Sequence, residues 1–259
     1  MKSITFIGAG NVAWHLAQAL HQRGYRISQV WSRTISSAAT LAKLVDAQPV
    51  IVIDQIAASA DCFIISMNDE ALPQILKGLK IDNRLIVHTS GTIDKEVLHE
   101  VSENYGVLYP LQTFSKGIGI DIETIPFFIE ANSVQSLKRI ELLAGRLSPK
   151  VYRADSVTRL KLHMAAVFAG NFSNFMYVIA SDLLADSGYD IDILRPLIAE
   201  TSRKALLADP ATVQTGPARR NDEVVLTRHL EMLVSKPEYA EIYRQLTRLI
   251  INKYHDLNA

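Results

Sequence analysis

The chain has 259 residues, 48% hydrophobic and 21% charged, with 27 Lys and Arg against 27 Asp and Glu. That length holds two ordinary domains, and the composition is that of a soluble globular protein. The zero net charge, with no basic stretch, argues against nucleic acid or an anionic membrane surface as the main partner. The single cysteine, Cys62, lies in an apolar run. It permits no intrachain disulfide or thiolate cluster, no metal is expected, and Cys62 reads as a buried small residue. No signal-like segment opens the chain, and no apolar run reaches the roughly 18 residues that a membrane span needs. A cytoplasmic protein is expected.

Residues 4–7 read as a buried strand, 11–23 as a helix stopped by Gly24, and 27–31 as a second strand. Helix is expected over 36–45, strand over 50–53 and 62–66, helix over 69–77, and a fifth strand over 85–88. Residues 94–103 read as helix, 106–109 as strand, 125–130 as another strand, 134–147 as helix, and 151–152 as a last short strand. Strands with little internal alternation, separated by helices, predict a parallel sheet covered on both faces, in a doubly wound α/β Rossmann domain. After Ala154 the pattern becomes helical, over 156–184, 192–208, 223–234 and 238–254. The expected organisation is a dinucleotide-binding domain over 1–153 and an all-helical domain over 154–259.

The first turn carries the strongest motif. Gly8-Ala9-Gly10-Asn11-Val12-Ala13 is a G-x-G-x-x-A fingerprint that follows a buried strand and opens a helix. Gly8 permits the tight turn, Gly10 lets a pyrophosphate approach the backbone, and Ala13 lets the helix lie close to the sheet. The helix N-terminus offers free N–H groups to the phosphates. The second strand ends in Ser32-Arg33-Thr34. A carboxylate at this place would hold an NAD ribose and repel a 2′-phosphate. A hydroxyl and a guanidinium favour NADP instead.

Asn68-Asp69 and His88-Thr89-Ser90-Gly91 follow the fourth and fifth strands, at the carboxyl ends where such sheets bind ligands. Thr89, Ser90 and Gly91 either line a nicotinamide pocket or cap the following helix. His88 reads as a core histidine. On the long helix, a projection of about 100° per residue puts His163, Gly170 and Asn174 on one stripe, with Asn171 beside it and Lys161 far round. That stripe reads equally well as the wall of a wet cleft or as core residues bonded to neighbouring helices. Farther on, Asn221 or Asp222 can cap a helix, while Arg219 and Arg220 either bind an anionic substrate group, for which Arg220 is the candidate, or pair with surface acids.

These motifs occur in one order with Tyr109-Pro110-Leu111-Gln112-Thr113-Phe114, Lys161-x-His163, Asn171-Phe172 and Gly216-Pro217-x-x-Arg220-Asn221-Asp222. The whole chain resembles the bacterial proteins that join a Rossmann-like domain to an uncharacterised helical domain. These are often labelled NADP oxidoreductase, coenzyme deazaflavin-dependent-like. The wider kin are similar to pyrroline-5-carboxylate reductase, the β-hydroxyacid dehydrogenases and ketopantoate reductase. The resemblance implies NADP binding, a homodimer and a cleft between the domains. One position departs from it. β-Hydroxyacid dehydrogenases carry Asn four residues after a catalytic Lys, where this chain has Ala165 after Lys161, so the lysine mechanism does not carry over. The expected activity is hydride transfer between NADP(H) and a small C=O or C=N substrate, with His163 handling the proton beside Asn171 and Asn174. The dimer is expected through the helical domain, whose long helix has an apolar excess. The rival class is a non-catalytic NADP(H) sensor.

Overall fold

The computed structural model describes residues 1–79, 81, 83–185 and 187–255. The chain forms two compact units, Met1–Phe172 and Ser173–Ala259.

The first unit begins β1 (Ser3–Ile7), α1 (Asn11–Gln22), β2 (Arg26–Trp31), α2 (Ile35–Leu44), β3 (Gln48–Val50) and β4 (Cys62–Ile65). It continues α3 (Leu72–Gly78), β5 (Leu85–His88), β6 (Tyr105–Pro110), β7 (Phe127–Ala131), α4 (Val134–Leu147), β8 (Val151–Arg153) and α5 (Ser156–Ala166). The strands form one 8-stranded sheet in the order β3-β2-β1-β4-β5-β6-β7-β8. The chain winds outward from β1 through β2 to β3, then returns to start again at β4 on the other side of β1. This reversal makes the crevice beyond β1 and β4 the natural ligand site of a doubly wound sheet. Successive residues of β4 point to opposite faces. Cys62 and Ile64 join a core with Leu16 and Leu20 of α1 and Leu143 of α4, while Phe63 and Ile65 join one with Leu72, Leu76 and Leu98.

Three expectations need correction. The sheet is not wholly parallel, because β7 runs antiparallel to β6. The third strand is Gln48–Val50 rather than 50–53, since a sheet edge tolerates Pro49 where an inner strand would lose a ladder bond. Residues 94–103 form only a short 3₁₀ turn at Lys95–Leu98, capped by Asp94. Tyr105 Oη donates to Glu96 at 2.7 Å and Ser102 Oγ to the Arg84 carbonyl at 2.6 Å, which holds this connection down before a longer helix can wind.

After α5 come π-helical turns over Val167–Phe172 and then α6 (Ser173–Ala185), making 30 helical residues in a row. By length and composition this is the one helix among the described residues that could cross a membrane. Asn171, Ser173 and Asn174 break its apolar run, which is why a count of consecutive apolar residues misses it. The second unit adds α7 (Arg195–Leu207), α8 (Pro217–Arg220), α9 (Glu223–Met232) and α10 (Pro237–His255). No strand occurs in it among the described residues. Within this unit Tyr239 Oη and Lys236 Nζ bond Asp182 of α6 at 2.6 and 3.0 Å, and Arg219 lies over the Tyr254 ring at 4.3 Å.

One buried ion pair fixes α5 on the sheet. Arg159 is fully buried, and its guanidinium donates to Glu130 Oε2 of β7 at 2.5 Å and to the Ile93 carbonyl. Glu130 also accepts from Ser156 Oγ at 2.9 Å and pairs with Lys95 at 3.1 Å. A charge taken from water this completely is tolerated only when its partners are in place. Replacing Arg159 with Ala leaves Glu130 short of its main partner. The expected loss is about 3–5 kcal/mol in a urea unfolding titration, with Glu130→Gln losing less.

Candidate functional site

The first turn depends on Gly8, whose φ is +118°; a Cβ there would lie 2.0 Å from the Ser66 carbonyl oxygen. Gly8 N–H donates to the Trp31 carbonyl at 2.9 Å, tying the turn to the end of β2. The first turn of α1 has no acidic residue, and Ala13 is fully buried against the sheet. The N–H groups that open α1 therefore meet no competing carboxylate. A hollow of about 240 Å³ lies beside this turn, lined by Gly8, Ala9, Gly10, Ser32, Arg33, Ser37 and Lys116. Its donor set is hydroxyls, backbone and two cations, with no Asp or Glu in the lining, which is chemistry that fits a phosphorylated ligand. Asn11 and Thr34 border this region without lining the hollow; the Thr34 hydroxyl donates to Ser37 Oγ at 2.9 Å.

Met67 and Asn68 line both this hollow and a second, larger cleft of about 1090 Å³. The cleft walls are Val12, Asp69, the 89–92 segment after β5, the 109–113 segment at the end of β6, and the inner side of α5 and the π turns. Most hydroxyls here are already engaged. Thr89 Oγ1 donates to the Ile65 carbonyl at 3.3 Å, Ser90 Oγ accepts from Thr92 N and Ile93 N at 3.0 and 3.1 Å, and Thr92 donates to Asp69. Ser90 thus both lines the cleft and caps the turn after it.

His163 and Tyr109 meet in the cleft, with Tyr109 Oη 3.2 Å from His163 Nδ1. Burial pushes the Tyr109 phenol up to about 12. The His163 ring lies against Gly91, where a Cβ would come within 2.7 Å of Nδ1. Only glycine leaves room for the ring. Nothing in a strand-end tyrosine such as Tyr109 predicts an imidazole 54 residues later in the chain, so the sequence alone gives it no role.

The helix projection holds only in part. Gly170 and Asn171 line the cleft with His163. The π turns advance less per residue than α-helix and bring Asn171 round. Asn174 falls within the second unit and is not one of the cleft's lining residues, nor is exposed Lys161. Arg220 is exposed in the second unit, and Asp222 caps α9 by accepting from Val225 N at 3.2 Å. His88 is buried, and its Nδ1 accepts from Ser90 N at 3.2 Å. Cys62 is buried as expected, with its thiol pushed up to about 12 by burial, so it holds no reactive thiolate.

Residues 1–113 match the family model of the Rossmann-like domain, and residues 125–250 match a domain of unknown function, DUF2520. A Bacteroides fragilis protein provisionally named an NADP oxidoreductase is 43% identical over 97% of this chain and 98% of its own, with a TM-score of 0.91. A Thermotoga maritima protein is 18% identical over 99% of this chain and 100% of its own, at a TM-score of 0.73. A reductive aminase from Aspergillus terreus, solved with NADPH and ethyl-5-oxohexanoate, is 18% identical over 99% and 95%, at 0.69. At that identity the last two share the fold. No curated protein matches the chain.

His88 gives the site region a pH signature. Burial first, and then the Arg159 charge, lower it from 6.5 to about 4, so it is neutral near pH 7. The unfolded chain takes up its proton near pH 6.5 and the folded chain only near 4. The stability from a neutral His88 is complete above pH 6.5 and is lost as pH falls toward 4, by on the order of 3 kcal/mol. His88→Asn keeps an acceptor for Ser90 N–H without the titrating ring. It should flatten that acid limb in unfolding titrations run between about pH 7 and pH 4.

Proposed function

The chain belongs to the family in which a Rossmann-like domain precedes a DUF2520 domain, and from that premise we propose that it is a cytoplasmic NADP(H)-dependent oxidoreductase acting on a small C=O or C=N substrate. The observation that carries this reading is the continuity of the two hollows. They share Met67 and Asn68, and together they run from Gly8–Gly10 and Arg33 to the Tyr109–His163 pair. The 43% identity to the Bacteroides fragilis protein supports the cofactor. Deazaflavin has no part in this reading.

When bound, NADP(H) gives or takes the hydride at nicotinamide C4. The chain's own residues do the rest. Gly8, Ala9 and Gly10, with the opening N–H groups of α1, hold the pyrophosphate, and Ser32 and Arg33 hold the 2′-phosphate. Asn68, Thr89, Ser90 and Gly91 border the nicotinamide side. A reduction also needs one proton at the substrate oxygen or nitrogen. Tyr109, held near 12, stays protonated at neutral pH and donates to that atom, and His163 at 3.2 Å resupplies its proton. Asn171 orients the substrate. The cleft lining contains Asp69 and Glu70 but no Lys or Arg, which favours a neutral or cationic substrate over a 2-oxoacid. Asn174 and Arg220 are assigned no role.

The test combines binding with turnover. The parent chain should bind NADPH more tightly than NADH. Arg33→Ala should weaken NADPH by roughly tenfold to a hundredfold and leave NADH unchanged. A screen followed at the nicotinamide absorbance should show small imines and neutral ketones turning over faster than 2-oxoacids. Tyr109→Phe and His163→Ala should each abolish most turnover while keeping NADPH affinity. Equal affinities for the two dinucleotides would remove the NADP assignment. Tight binding without turnover of any substrate would favour a sensor.

We also propose a homodimer formed through the second unit. Neither α6 nor α7 has a buried residue, and Phe175, Val178, Leu197, Leu206 and Leu207 are exposed. Apolar exposure on that scale marks an interface. Sedimentation at micromolar concentration should give twice the mass of the chain, and Leu206→Glu with Leu207→Glu should shift it toward the monomer.

A further inference from the structure

The loop that leaves β6 runs along the trough. Its residues Leu111, Gln112 and Thr113 line the large cleft, and Lys116 lines the smaller hollow beside the first turn. Lys116 lies 83 residues beyond Arg33 in sequence, yet both cations border the same 240 Å³ space with Ser32, Ser37 and the Gly8–Gly10 backbone.

Three contacts fasten this loop to α1. His15 Nε2–H donates to the Ser115 carbonyl at 3.0 Å, the His15 and Phe114 rings lie 5.4 Å apart, and Lys116 Nζ stands 5.5 Å from the Trp14 ring centroid. The Trp14 face steadies the ammonium without neutralising it, as a carboxylate would. A cation held over an acid-free hollow, at the mouth of a glycine turn that opens a helix, has an anion as its natural partner.

We propose that Lys116 is a phosphate-binding residue of the dinucleotide site, delivered by the loop after β6 into the same hollow that Arg33 lines. The proposal rests on the NADP(H) reading and adds a residue that the first βαβ unit does not contain. Its ligand is one of the phosphates of the dinucleotide.

The chain supplies its own probe. Its two tryptophans are Trp14, beneath Lys116, and Trp31, in the wall of the hollow. Quenching of their emission can be titrated with NADPH and with NADH, on the parent and on Lys116→Ala, Lys116→Glu and Lys116→Arg. Lys116 is exposed, so none of these changes threatens the core. Lys116→Ala should weaken NADPH about tenfold, Lys116→Glu further, and Lys116→Arg should restore most of the affinity. A loss confined to NADPH identifies the 2′-phosphate as the partner, and an equal loss for NADH identifies the pyrophosphate. Unchanged affinity for both dinucleotides in Lys116→Ala and Lys116→Glu, while the parent binds, overturns the proposal alone. A parent that responds to neither dinucleotide overturns the cofactor reading and removes the ligand of Lys116 with it.

Discussion

Arg159 places a permanent positive charge where no water reaches it, and the first unit is organised to answer that charge. Glu130 on β7, the Ile93 carbonyl after β5, and Ser156 on the same helix converge on the guanidinium. Lys95 shares Glu130, so two cations and one carboxylate balance around a single strand position. Removing Glu130 would strand the buried guanidinium and free Lys95, so this cluster ties the seat of α5 to β7. His163 follows Arg159 by one helical turn and lies on the same side of α5. The pair that fastens the helix therefore also decides that an imidazole, and not its neighbours Lys161 or Met164, meets Tyr109 over Gly91.

The same charge shapes the interior beneath the cleft. It joins burial in keeping His88 neutral. His88 is a fixed acceptor for Ser90 N–H and holds the turn after β5 in place. His163 stands in the cleft wall with a phenol as partner. Electrostatics also divide the trough lengthwise. Arg33 and Lys116 line the smaller hollow, whose lining holds no carboxylate, and Asp69 and Glu70 line the larger cleft, whose lining holds no Lys or Arg. A long ligand with phosphates at one end and a weakly charged reactive ring at the other matches this polarity in one direction only.

Much of this was legible in the residues because the requirements are local. A tight strand-to-helix turn needs Gly8, buried parallel strands need unbroken apolar runs, and a helix stop needs Gly24, each within a few residues of its cause. Legibility failed where a distant partner sets the outcome. Pro49 sits in a strand because the position is at a sheet edge, and edge position is a property of the whole sheet. The 94–103 segment looked helical by pattern, yet hydrogen bonds from Tyr105 and Ser102 hold it to a short turn. The stripe from His163 to Asn174 assumed regular α-helix, and the π turns at Val167–Phe172 changed its phase.

The doubly wound sheet, the glycine turn with its free N–H groups, and the hydroxyl and guanidinium that close β2 are all written into the residues. Each is encoded by neighbours along the chain through backbone sterics and hydrophobic periodicity. Which side chains share a space is set by long-range packing. Tyr109 with His163, Arg159 with Glu130, and Lys116 with Arg33 are separated by 54, 29 and 83 residues, and no local rule links such pairs. Their meeting follows from strand order, from the path of the loop after β6, and from the buried Arg159–Glu130 pair that seats α5.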